Sequence, residues 1–86
     1  MERAHLEELR KALEGKGLES DLIEGPNVTF LRIGHRNPEQ RPEAVTCREA
    51  EGELFFVGSF GSLIAPARHI ESAVERIAHR VSAEVP

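Results

Sequence analysis

The segment of residues 54–66 constrains the fold of this chain more than any other. It begins with four consecutive apolar residues, passes through two glycines and ends at a proline that leads into an amphipathic stretch. Large apolar residues favour a buried strand, glycine permits a sharp change of direction, and proline is tolerated in the first turn of a helix. We therefore predict a strand, a tight turn and a helix start in close succession here.

The size and composition of the chain indicate one small domain spanning residues 1–86. An apolar fraction of 40% and a charged fraction of 30% are typical of a globular protein. Tryptophan and tyrosine are absent, so the core must be built from aliphatic residues and four phenylalanines. A core this small often gains stability when two chains pair, and we therefore expect a homodimer.

Several classes of function are disfavoured by composition. A single cysteine excludes an internal disulfide and an all-cysteine zinc site, and the four histidines lack metal-ligand spacing. No apolar run approaches the roughly 20 residues of a membrane span, and the charged first residues are not typical of a signal peptide. The net charge of −4 weighs against nucleic acid as a partner. We expect a cytoplasmic protein without metal, cofactor or membrane contact.

Hydrophobic periodicity predicts two helices and up to four strands. Leucines repeat on one side of residues 2–14, and apolar residues recur at helical spacing from residue 66 onward. The predicted strands are residues 18–24, 28–33, 44–48 and 54–57, with a polar loop over 34–42. The order α-β-β-β-β-α predicts an α+β fold, a two-layer sandwich in which helices at both ends flank an antiparallel meander of three to four strands.

Large apolar residues occupy both faces of the second and fourth predicted strands, whereas a strand covered on one side alternates apolar and polar residues. If both helices cover one face, the other face stays apolar and is expected to contact another protein. The expected contact residues are Leu31, Ile33, Leu54 and Phe56, with Phe60 at the rim. The opposite strand register would present Phe30, Phe55 and Val57 instead.

Two alternatives would leave no such surface. The helices could lie on opposite faces of the sheet, or the loop over residues 34–42 could fold across the second face.

A group of basic residues around the long loop gives a second functional hypothesis. Arg32, Arg36 and Arg48 could bind an anion, and with His35 nearby this region could form a small enzyme or ligand-binding site. Glutamates are interleaved with these residues, so mixed surface charge is the simpler interpretation. Cys47 falls at an inward position of a strand, where a free cysteine is usually a small buried hydrophobe.

The run from residue 56 to 78 resembles a family of short, mostly uncharacterised proteins of high-GC actinobacteria. The matching residues are Phe56-Val57, Phe60-Gly61, Ile64, Pro66, Ala73 and Ile77-Ala78. Tryptophan often occupies the positions of Gly58 and Phe60 in that family, and this chain departs from it at both. Family members tend to accompany helix-turn-helix regulators, so the resemblance implies a regulatory accessory protein without catalysis.

The order of elements is also similar to that of secretion chaperones, which dimerise and hold client segments. Together these observations predict a non-enzymatic protein–protein interaction module, a dimeric regulatory accessory or chaperone-like protein whose partner is a transcriptional regulator or another protein. The alternative is the anion-binding domain or small enzyme described above.

Overall fold

A computed structural model of the chain describes residues 2–34, 39 and 41–82. The helices are α1 (Glu2–Glu14) and α2 (Ile70–Ser82), and a short 3-10 helix lies at Ser59–Gly61. The strands are β1 (Ser20–Glu24), β2 (Thr29–Ile33), β3 (Glu43–Ala50), β4 (Glu53–Val57) and β5 (Leu63–Pro66). The predicted α+β class is confirmed, with five strands in place of three to four.

Helix α1 has the bounds that the leucine spacing predicts. Leu6, Leu9 and Leu13 are fully buried on its inner side. The helix ends where the Leu18 N–H donates to the Leu13 carbonyl at 3.0 Å and the Gly17 N–H donates to the Glu14 carbonyl at 2.9 Å. These two bonds form a Schellman motif, which requires the left-handed φ of 79° found at Gly17.

The five strands form one antiparallel meander in the order β1-β2-β3-β4-β5, so each strand pairs with its neighbour in sequence. The β3–β4 hairpin is tighter than the predicted connection over residues 49–53. Glu51 and Gly52 alone make the turn, with φ of 51° and 79°. A pair of residues with positive φ matches the twist of the two strands that it joins.

The sequence does not predict the fifth strand, because it places the start of the last helix at Pro66. Pro66 instead ends β5 and pairs with Phe55 of β4. Proline is tolerated on an edge strand because its missing N–H faces away from the ladder. Helix α2 begins four residues later, at Ile70. A turn precedes it, in which the His69 N–H donates to the Pro66 carbonyl at 2.9 Å.

Both helices lie on the same face of the sheet. Residues of α1, of α2 and of one side of the strands belong to a single buried cluster, and the two helices also contact each other. The cluster is aliphatic apart from Cys47 and Phe56. The first alternative, with one helix on each face, is therefore wrong. The second alternative concerns the loop over residues 34–42, most of which lies outside the described residues.

The uncovered face of the sheet as candidate functional site

Strand alternation divides the apolar residues of β2 and β4 between two different environments. Leu31, Ile33 and Phe56 have no exposed surface and belong to the core under the helices. Their neighbours in sequence point the other way, to the side of the sheet that carries no helix in the described chain. We call this side the open face.

The expected contact residues must be corrected accordingly. Leu31, Ile33 and Phe56 lie in the core, and Leu54 packs against it. The side chain of Phe60 is outside the described part of the structure. The open face instead carries the opposite set, Phe30, Phe55 and Val57. Phe55 pairs with Arg48 and Val57 pairs with Thr46, and these two residues of β3 alternate with the buried Val45 and Cys47. The sequence pattern predicted two apolar faces, but it did not show which one the helices cover.

A band of residues that is apolar except at its middle crosses the open face from one sheet edge to the other. We define the apolar band as Ile23, Phe30, Thr46, Val57 and Leu63. Ile23 pairs with Phe30 across β1 and β2. Val57 pairs with Thr46 on one side and with Leu63 on the other. The β2–β3 register, continued by one residue beyond the pair Leu31–Val45, places Phe30 beside Thr46.

The band is exposed at its outer end and more closely packed towards the middle. Leu63 is 61% exposed and Val28, which precedes β2, is 50% exposed; they are the exposed large hydrophobic residues of the described chain. Phe30 and Phe55 are half-buried. Val57 is only 7% exposed although it is not part of the core cluster.

The charges on the open face are few and nearly balanced. On one side of the apolar band, Arg32 lies opposite Asp21, with 3.4 Å between its Nη2 and the Asp21 Oδ2. Arg48 lies on the other side of the band. Beyond it, Glu53 forms an ion pair with Arg68, with 3.0 Å between the Glu53 Oε1 and the Arg68 Nε. The face therefore has no strong electrostatic preference for a basic or an acidic partner.

The described residues do not assemble the predicted anion site. Arg32 pairs with a position four residues before Arg48 on β3, which separates the two arginines by about 13 Å along the strand. Arg32 also has a carboxylate beside it, and Cys47 points into the core. Arg36 and His35 lie outside the described residues. Within that part of the chain, no group of three or more His, Cys, Asp or Glu residues could hold a metal ion.

A polar cluster behind the turn after β4 was not predicted from sequence. The Arg80 Nη1 donates to the Glu43 Oε1 at 3.2 Å and to the Ser62 Oγ at 2.9 Å. The same carboxylate oxygen accepts from the Ser59 N–H at 2.9 Å. Glu43 and Arg80 are 37 positions apart, so no local spacing could have indicated their contact. We call Glu43, Ser59, Ser62 and Arg80 the turn cluster.

The turn cluster has a structural role, because its hydrogen bonds fasten three separate parts of the chain to one another. The Ala44 N–H donates to the Ser59 Oγ at 3.3 Å, which ties the start of β3 to the turn. Arg76 adds a bond from its Nη1 to the Ile64 carbonyl of β5. Together these contacts fasten the start of β3, the turn after β4 and β5 to α2.

Among the described residues, no helix has both the length and the apolar character needed to cross a membrane. Comparison of the chain with protein-family models, with curated proteins and with solved structures found no match.

Proposed function

We propose that this chain is a non-enzymatic protein–protein interaction module and that the open face is its contact surface. The observation that carries the proposal is the apolar band, which crosses all five strands on the side away from the helices. Covering a large apolar side chain contributes about 1.5–3 kcal/mol when it is fully removed from water. Leu63, Phe30 and Phe55 all retain surface that a partner would bury.

The chemistry of this face favours a protein partner over a reaction or a small ligand. A catalytic site brings a nucleophile, a base and stabilising donors together in a concave pocket. The open face is the broad side of a sheet, and its charged groups lie in separate pairs on either side of the apolar band. Broad apolar surfaces with a polar rim are typical of protein–protein interfaces.

We further propose a regulatory accessory or chaperone-like role in the cytoplasm. The resemblance to the actinobacterial family supports a transcriptional regulator as the partner, and the likeness to secretion chaperones supports binding of a client segment. The balanced charge of the open face is compatible with either partner, since both would be held mainly by apolar contact.

The proposal is tested with the Leu63→Glu variant. Leu63 is 61% exposed, so a glutamate there leaves the fold intact but places a charge in the contact surface. The matched control is Ala4→Glu, which adds the same charge at an exposed position of α1. Binding to the purified proteins encoded beside this chain is measured by sedimentation. We expect Leu63→Glu to lose binding and Ala4→Glu to retain it; equal binding by both variants would contradict the proposal.

A further inference from the structure

We infer that the partner seated on the open face is a second copy of this chain, related to the first by a two-fold axis that passes close to Thr46. The inference rests on the proposed function, because it assigns an occupant to the same surface. The resulting dimer is a four-layer structure in which two sheets pack face to face and both pairs of helices lie outside.

The area of the open face fits a dissociable dimer. Strands lie about 4.8 Å apart and rise about 3.3 Å per residue, so five strands of four to eight residues span roughly 24 Å by 13–26 Å. The mean strand length then gives about 430 Å² per copy, or about 860 Å² in total, which lies in the range of weak, transient complexes. Such a dimer should dissociate on dilution.

The charges of the open face suit an identical partner better than a strongly charged one. The whole chain carries a net charge of −4, so two copies repel each other weakly at long range. The open face itself carries Asp21 and Glu53 against Arg32 and Arg48, with Arg68 beside Glu53. Two such faces can meet without the like-charge repulsion that disfavours incorrect partners.

The position of Thr46 determines the geometry. Thr46 lies on β3, the middle strand of the five, and at the middle of the apolar band. A two-fold axis that places the band of one copy on the band of the other must pass near that point. The two Thr46 side chains then face each other, whereas positions on the outer surface of the helices are far apart.

The oligomeric state is measured first, by sedimentation over a wide range of concentration. We expect the wild-type chain to change from a monomer to a dimer as its concentration rises. We expect Leu63→Glu to raise the dimer dissociation constant at least about tenfold, a change of about 1.4 kcal/mol, and Ala4→Glu to leave it unchanged.

The geometry is measured by thiol cross-linking. The reagent is a short bismaleimide, because the ~10 Å spacing between packed sheets separates the backbones and the thiols that face each other lie closer together. Thr46→Cys should cross-link efficiently, whereas Ser72→Cys, at an exposed position of α2, should not. Cys47 is 3% exposed, so the wild-type chain serves as the control for background reaction. A dimer that cross-links through Ser72→Cys and not through Thr46→Cys would overturn the inference.

A chain that remains monomeric at every concentration would also overturn the inference. In that case the proposed function would still stand if another protein binds the chain and Leu63→Glu abolishes that binding. Both proposals would fail if the chain stays single and Leu63→Glu leaves all binding unchanged.

Discussion

At the scale of single residues, Gly58 is the position where the turn after β4 depends most on the absence of a side chain. A Cβ atom there would overlap the Arg80 Nη1 and would lie 2.6 Å from the Glu43 Oε1 and 3.2 Å from the Ile64 Cδ1. The first two atoms belong to the turn cluster and are hydrogen-bonded to each other. Both atoms end flexible side chains, and moving them aside would distort those bonds.

We therefore expect Gly58→Ala to lower the free energy of unfolding by about 1–2 kcal/mol, because it crowds a packed cluster. Gly34→Ala is the matched control, since a Cβ at Gly34 would have no atom within 4 Å, and its effect should stay within about 0.5 kcal/mol. Urea unfolding of both variants checks this. A Gly58→Ala variant as stable as the control would show that the turn cluster does not need the glycine.

The ion pair of the turn cluster should contribute more than an exposed pair. The side chains of Glu43 and Arg80 are 17% and 30% exposed, whereas those of Glu24 and Arg3, 2.9 Å apart, are 50% and 63% exposed. In double-mutant cycles of alanine variants we expect a coupling of about 1 kcal/mol for Glu43–Arg80 and close to zero for Arg3–Glu24. Equal couplings would contradict the role assigned to the turn cluster.

At the scale of elements, β4 shows what its sequence could and could not predict. Residues 54–57 are all apolar and predict a strand, and β4 forms there. It does not predict which phenylalanine is inside, because alternate residues of a strand are equivalent until another layer covers one face. The structure places Phe56 under the helices and Phe55 on the open face.

The two phenylalanines give a matched test on one strand. At concentrations where the chain is a single copy, we expect Phe56→Ala to cost about 3–5 kcal/mol of unfolding free energy, because it opens a cavity in the core. Phe55 is half-buried, so Phe55→Ala should cost less than half as much while weakening assembly. Phe56→Leu gives a measurable value if Phe56→Ala does not fold. Equal losses at both positions would contradict the assigned faces.

Other elements were predictable where the local signal was strong. Leucine spacing and the glycines that follow predicted α1, and the periodicity of its apolar residues predicted α2. The fifth strand was missed because Leu63–Pro66 is only four residues long and its pairing depends on β4. The proline at its end has two valid interpretations, edge strand or helix start, and the sequence alone does not choose between them.

At the scale of the whole molecule, the candidate site follows from a mismatch between sheet and helices. Two strands are apolar on both sides, but both helices lie on one face and share a single core. The excess of apolar residues was visible in the sequence, and so was the expectation of a contact surface. The residues of that surface could not be identified from the sequence. They depend on which face of the sheet the two helices cover, and tertiary packing decides this because the helices are distant in sequence.

The most direct test of the contact surface is hydroxyl-radical footprinting read by mass spectrometry at increasing chain concentration. We expect oxidation of Phe30 and Phe55 on the open face to fall as copies associate, while oxidation of His5 on α1 stays constant and Phe56 stays unmodified throughout. Oxidation of Phe30 and Phe55 that stays the same at every concentration, and on addition of every partner tested, would contradict the account.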